Sequence, residues 1–402
     1  PTFRLSAERS NQAELPAHNP SSFLSVFKRF HGVNIKNLCV NCTQMPPLRS
    51  VLSNFTPYSW EASTDEIAAR YGLRPDQVIR MDLNTSPYNP MPWLNRLAKK
   101  LSKIGVNQYP DTSYRRLREG LARYTGLEPD QILVGNGADE CLMISAQAFM
   151  EYGCQAIISY PTYSYFRVCV EIMGGRVLEI PRKEDFRDDF DSIAANIGKD
   201  TRMVFLCSPN NPTGNLVNHS DVEKLAKETE AVIVVDEAYY EFCGRTVTHL
   251  VKNYPNIVVV RTFSKAFSLA GARVGYALAS EETVKQLNTV RPPNSLSVIS
   301  LELAQTALKN VSLVKRWVRS IVSERKRLVK ILAGKFGLKV YGSEGNFLLV
   351  RFARPRAVHK ALMERGIVLR DLSDVVDNCL RITVLTKREN NLFLSALEEV
   401  LK

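Results

Sequence analysis

Five short apolar runs divide the middle of the chain: Ile132-Leu133-Val134, Ala156-Ile157-Ile158, Met203-Val204-Phe205-Leu206, Ala231-Val232-Ile233-Val234-Val235 and Ile257-Val258-Val259-Val260. Each is unbroken by polar residues and most are rich in β-branched side chains. That is the pattern of a strand covered on both faces. Helical stretches alternate with them, one running through about Met150. The alternation predicts a mainly parallel sheet with helices on both faces. In such a sheet, ligands bind beyond the carboxyl ends of the strands.

Ahead of this region, Ser63-Thr64-Asp65-Glu66 marks a helix start with acids in its first turn, ending near Tyr71-Gly72. A turn-rich loop follows over 83–90, then a helix carrying Leu94, Leu97 and Leu101. A second loop, Asn107-Gln108-Tyr109-Pro110-Asp111, leads to an amphipathic helix with Leu117, Leu121 and Tyr124. After Gly275 the pattern turns helical, with a long helix over 313–336. The tail reads as a strand (346–352), a helix (355–364) opened by a proline, an extended piece ending Val368-Leu369-Arg370, a strand (380–384) and a final helix. These elements predict an α/β fold with a smaller α+β domain. The expected division is an extension over 1–60, a large α/β domain over 86–311, and a small domain built from 61–85 and 312–402.

The chemistry collects where the runs end. Lys265 follows the last run, between the hydroxyls of Thr262 and Ser264 and ahead of Arg273. An amine there can form a Schiff base, and hydroxyls with a guanidinium can hold a phosphate beside it; taken alone, it also reads as a surface lysine after a strand. Asp236 ends an apolar strand, where an acid suits either a helix N-cap or a pyridinium partner. Gly135-Asn136-Gly137-Ala138-Asp139 joins a strand to a helix start, and free N–H groups there favour a phosphate. Its spacing matches neither a dinucleotide fingerprint nor a Walker loop. Tyr163, Asn211 and Tyr239 follow other strand ends, where each also reads as packing or a turn residue. Arg381 lies inside an apolar strand and needs an anionic partner, either a substrate or a structural carboxylate.

Composition narrows the field. The 402 residues are 45% hydrophobic, enough for a large core, and no apolar run approaches bilayer length. We therefore expect a soluble, cytoplasmic protein that binds no membrane. The net charge of +12 favours small anionic substrates, while no basic block with interleaved aromatics points to nucleic acid. Eight scattered cysteines fit reduced, mostly buried thiols. Cys39 and Cys42 form a Cys-x-x-Cys without a second pair, and the histidines are dispersed, so no metal site is expected. Residues 1–60 carry six Lys/Arg, two acids and eight serines, which reads either as a family-specific extension or as an organellar transit segment.

Taken jointly, and in this order, Ser208-Pro209-Asn210-Asn211-Pro212-Thr213-Gly214, Asp236-Glu237-Ala238-Tyr239, Ser264-Lys265 with Arg273, and Leu380-Arg381-Ile382-Thr383 resemble the fold-type I pyridoxal-phosphate aminotransferases. The resemblance runs from about Thr56 to Leu401. It implies that pyridoxal 5'-phosphate is held by Lys265, with Asp236 on the ring nitrogen and Asn211 and Tyr239 on the ring oxygen. Gly137, Ala138, Asp139, Thr262, Ser264 and Arg273 would cradle the phosphate, and Tyr163 would stack on the ring. Tyr109 would reach the cofactor of a partner subunit, implying a homodimer. Arg381, Arg370 and Asn346 would bind the substrate. Two arginines suit a phosphate, so the implied reaction passes the amino group of histidinol phosphate, an anionic amine, to the oxo acid 2-oxoglutarate. The rival readings are an aminotransferase for aromatic or other amino acids, a threonine-phosphate decarboxylase, and a non-catalytic cofactor-binding regulator. One departure stands out. Where the family often reads Leu-Asn-x-Asn-Glu, Leu83-Asn84-Thr85 runs directly into Ser86-Pro87.

Overall fold

The computed structural model describes residues 48–52, 55, 62–100 and 103–402. Cys39 and Cys42 lie outside them. Pro1–Arg49 forms one unit of the chain, and Ser50–Lys402, with both sheets, forms another.

The strands are β1 (Ile79–Met81), β2 (Ile132–Gly135), β3 (Gln155–Tyr160), β4 (Arg176–Pro181), β5 (Thr201–Cys207), β6 (Val232–Asp236), β7 (Ile257–Thr262), β8 (Gly275–Leu278), β9 (Lys339–Val340), β10 (Phe347–Arg351), β11 (Ile367–Asp371) and β12 (Cys379–Thr383). Seven of them form the main sheet in the order β2-β8-β7-β6-β5-β3-β4. All its pairings are parallel except those of β8, which runs antiparallel to both β2 and β7.

The apolar runs are explained by burial on both faces. In β6, Val232 and Val234 join one core cluster while Ile233 and Val235 join the other; in β7, Val258 and Val260 part from Ile257 and Val259 in the same way. With period-2 alternation, a strand sandwiched between helix layers must be apolar at every position.

Four strands were not anticipated. The helical pattern expected after Gly275 gives way first to β8, whose Gly-Tyr-Ala-Leu sequence has weak strand character. Its place between β2 and β7 is set by pairing, not propensity. β4 is an edge strand with only Ile180 buried, so it shows no apolar run. β1 is three residues long and β9 two, too short to show a pattern.

The second sheet, β1-β11-β12-β10-β9, joins one strand from before the main sheet to four from after it. Its helices lie close to expectation: Val311–Gly334, Pro355–Met363 and Lys387–Leu401. Gly214 sets its approach to the main sheet. The Glu344 amide donates to the Gly214 carbonyl at 2.9 Å, and a Cβ at Gly214, whose φ is +82°, would lie 2.5 Å from Ser343 Oγ. Among the described residues, no helix is long and apolar enough to cross a membrane.

Candidate active site

Because β2 runs parallel to β7, the carboxyl ends of β2, β3, β5, β6 and β7 share one edge of the main sheet. A cavity of about 510 Å³ opens there, lined by Asp139, Tyr163, Asn211, Asp236, Tyr239 and Lys265, and by Arg370 and Arg381 from the second sheet.

Asp236 is 4% exposed, and its Oδ1 accepts the Ala238 amide at 3.0 Å. Burial pushes its carboxyl up to about 7, against the pull of that amide. Lys265 is part-buried, and its Nζ donates to the Leu83 carbonyl at 3.2 Å. Desolvation, and then the positive charge of Arg381, bring the amine down to about 8. A buried acid and a depressed amine in one cavity form the kind of pair that catalysis uses.

Two side chains are oriented as donors by their neighbours. Arg381 Nη1 donates to Asn211 Oδ1 at 2.6 Å, which commits that oxygen and leaves the Asn211 amide hydrogens available. Asn84 Nδ2 donates to the Tyr239 hydroxyl at 3.0 Å, leaving the phenolic hydrogen available. Burial holds Tyr239 in its neutral form by raising its pKa.

An anion cradle sits at the end of the cavity. The helix Ala138–Phe149 begins there, and its N-cap, Gly137, supplies no side-chain cap, so first-turn amides remain available to a ligand. Arg273 Nη1 approaches Ser264 Oγ at 3.5 Å, and Thr262 Oγ1 donates to Ser264 Oγ at 2.9 Å. Gly137 sits at φ +86°, where a side chain is strained, and a Cβ there would stand 2.6 Å from Arg273 Nη2 and push that guanidinium aside. The Asp139 carboxylate is engaged beside the cradle: it accepts Tyr163 Oη at 3.0 Å and Arg273 Nη2 at 2.9 Å, so it positions the cradle's arginine and leaves a phosphate to the first-turn amides.

The remaining anticipated residues stand as follows. Arg370 and Arg381 both line the cavity. Asn346 is fully buried; its Nδ2 donates to the Asn84 carbonyl at 3.0 Å, and it does not line the cavity. Tyr109 is 86% exposed and does not line the cavity of its own chain.

Asn84 was missed as a site residue. At φ +52° it is 1% exposed, and it ties Tyr239 to Thr383 and Asn346. Its position in the turn-rich loop over 83–90 was the available signal. The loop itself meets the site, through Leu83 to Lys265 and through Ser268 Oγ to Ser86 Oγ at 2.7 Å. A second buried network was also missed. Arg261 pairs with Glu237 at 2.9 Å and lies 3.6 Å from the Tyr240 ring centroid, bracing the strands that carry Asp236 and Lys265.

Residues 76–397 match the family described as aminotransferase class I and II. The chain belongs to that family. This aminotransferase is 37% identical over 326 residues to the histidinol-phosphate aminotransferase of Caldanaerobacter subterraneus, covering 80% of this chain and 93% of that one. It is 34% identical over 365 residues to the enzyme of the same name from Methanocaldococcus jannaschii, covering 88% and 97%. In fold it is similar to the crystal structure of histidinol-phosphate aminotransferase from Sinorhizobium meliloti in complex with pyridoxal-5'-phosphate. The TM-score is 0.80 at 26% identity, covering 90% of this chain and 99% of that one.

The depressed amine of this aminotransferase gives a direct expectation. Lys265 reacts with a carbonyl only as the neutral amine, and an exposed lysine loses its proton near 10.5. Cofactor-free protein should therefore capture pyridoxal phosphate at a rate that rises with pH through about 8. Stopped-flow absorbance across pH 6–10 checks this, and a midpoint near that of free lysine would count against it.

Proposed function

We propose that this aminotransferase transfers the amino group of histidinol phosphate to 2-oxoglutarate, giving imidazole-acetol phosphate and glutamate, with pyridoxal phosphate as cofactor. The cofactor fits what the cavity offers: a buried carboxyl for a protonated ring nitrogen, two oriented donors for a ring oxygen, and an uncapped helix start beside Arg273 for a phosphate. When bound, it supplies an aldehyde that takes up the amino group and a ring that withdraws electrons.

This chain's residues do the rest. Lys265 Nζ takes the proton from the substrate Cα, as base, and returns it as acid on the far side of the amino nitrogen, a 1,3 shift. Asp236 holds a proton on the ring nitrogen. Asn211 and Tyr239 donate to the ring oxygen. Gly137, Ala138, Asp139, Thr262, Ser264 and Arg273 bind the phosphate, Asp139 through its amide, and Tyr163 borders the ring. We further propose that 61–85 with 312–402 act as a small domain presenting Arg370 and Arg381 to a large domain over 86–311, and that Asn346 acts on the substrate through Asn84. Tyr109, exposed on its own chain, would serve the site of a second copy in a homodimer.

The observation that carries the substrate reading is a strand register. Arg370 of β11 and Arg381 of β12 stand directly opposite each other, so both point from one face of the sheet, and both line the cavity. Like charges opposed in this way repel, and a phosphate dianion offsets the repulsion by accepting from each. Histidinol phosphate offers such a dianion, whereas the carboxylate of a simple amino acid needs only one guanidinium.

Arg370→Ala should lower kcat/KM for histidinol phosphate by about one to two powers of ten, the equivalent of roughly 1.5–3 kcal/mol for a charged contact. Arg381→Ala should lower it further, because Arg381 also holds Asn211 and the Asp82 carbonyl. Steady-state kinetics with histidinol phosphate and phenylalanine, each with 2-oxoglutarate, tests the assignment. Robust use of phenylalanine with negligible use of histidinol phosphate would move the enzyme to amino-acid substrates. Carbon dioxide released from threonine phosphate would make it a decarboxylase.

A further inference from the structure

A second cavity, of about 850 Å³, lies outside the active site, between the helix Arg115–Thr125, the turn Tyr240–Cys243, and the helices Val298–Leu308 and Val311–Gly334. Its volume is within the range of small-ligand sites, roughly 300–1,000 Å³. Three features of its lining differ in chemistry and lie together.

The first is a rim of five cations, Arg116, Arg123, Lys309, Lys315 and Arg319. Among the described residues none of the five has an ion-pair or side-chain hydrogen-bond partner. The second is an apolar wall of Leu308, Val311, Val314 and Val318, completed by the rings of Tyr124 and Tyr240. The third is the Glu241 carboxyl, half-buried in the same lining, whose Oε1 accepts the Tyr124 hydroxyl at 3.1 Å. Its other oxygen remains an acceptor. The other acid of the lining, Glu119, is already paired with Arg115 at 2.9 Å.

We infer that this cavity binds a nucleoside phosphate, with the phosphate at the basic rim, the base against the apolar wall and the N–H groups of the base on Glu241. Each rival ligand leaves part of the lining unused. Inorganic phosphate satisfies the rim and leaves the apolar wall wet. A fatty acid fills the wall, brings one charge to five cations, and has no donor for Glu241. The chain's own first 60 residues carry six Lys/Arg and two acids, the same sign as the rim, so they make a poor occupant.

The test uses cofactor-loaded enzyme and isothermal titration with adenosine 5'-monophosphate, adenosine and inorganic phosphate. The expected result is saturable binding of the monophosphate that saturating 2-oxoglutarate leaves unchanged, with adenosine and inorganic phosphate each at least about tenfold weaker. The double variant Arg123→Glu/Arg319→Glu should weaken the monophosphate at least about tenfold while transamination in its absence stays at the wild-type rate. Arg123→Gln/Arg319→Gln, a milder pair that guards against misfolding, should fall between. Glu241→Gln should reduce the preference for the monophosphate over inorganic phosphate. The inference is overturned by no saturable binding at millimolar ligand, by unchanged affinity in both arginine pairs, or by inorganic phosphate binding as tightly as the nucleotide. Loss of the dimer in the arginine variants, read by sedimentation, would instead assign this face to a subunit contact and also overturn it.

Discussion

Lys265→Ala should lose transamination by roughly 10⁴-fold or more, the largest effect expected of any single change, because the chain then has no base at the reacting carbon. The lining supports this. The other basic side chains at the cavity, Arg167, Arg273, Arg370 and Arg381, are guanidiniums, which serve as anion partners and not as bases. Tyr239 is held neutral by burial, and Asp236 is the acid proposed for the ring nitrogen. The variant should still bind pyridoxal phosphate through the cradle at Gly137–Asp139 and Arg273, since Lys265 makes no contact there. Two measurements separate these roles. Borohydride treatment of cofactor-loaded protein should label Lys265 in the wild type and leave the variant unlabelled, while equilibrium dialysis should find cofactor on both. Turnover at the wild-type rate in the variant would remove Lys265 from the mechanism.

Much of this site could be read from the sequence, because the site is made of exceptions to a pattern. Asp236 ends a strand whose other residues are all apolar, and Lys265 and Asn211 come just after such strands. In a parallel sheet those ends share an edge, so one-dimensional spacing becomes three-dimensional proximity. The second sheet was legible for a similar reason: an arginine between Leu380 and Ile382 contradicts the burial around it. Asn84 shows where the reading stops. Its partner Thr383 is 299 residues away, and nothing local distinguishes an asparagine that closes a loop from one that bridges two sheets. The Glu237–Arg261 pair hid in the same way, as two charges in different motifs. The strands β4 and β8 went unread because an edge position and a Gly-Ala sequence carry no apolar signature. Asp139 was placed at the phosphate cradle, yet its carboxylate is held by Tyr163 and Arg273, and spacing alone does not separate an amide contribution from a side-chain one.

Asp236→Asn should retain cofactor and lower the rate of proton removal from the substrate by roughly 10²–10³-fold, the usual effect of deleting one charged stabilising contact in a buried site. The carboxyl is almost fully enclosed, with the Ala238 amide on one oxygen. A cationic ring nitrogen beside it would hold it ionised, whereas a neutral amide cannot keep a proton on that nitrogen. Single-turnover kinetics with a substrate deuterated at Cα isolates the step, and an unchanged rate would rule out the pairing. The same substitution has an opposite effect on the cofactor-free protein. Burial raises the Asp236 carboxyl from 3.8 to about 7 in the folded state. Between those values the unfolded chain binds fewer protons than the folded one, so Asp236 makes stability fall as pH rises from about 4 to about 7. Asparagine cannot ionise and removes that loss. Cofactor-free Asp236→Asn should therefore melt a few degrees above cofactor-free wild type at pH 8, and at about the same temperature near pH 4. Adding pyridoxal phosphate should narrow or reverse the gap at pH 8, because only the wild type gains the charged pair. A gap that stayed the same with and without cofactor would mean that Asp236 is buried for structure alone.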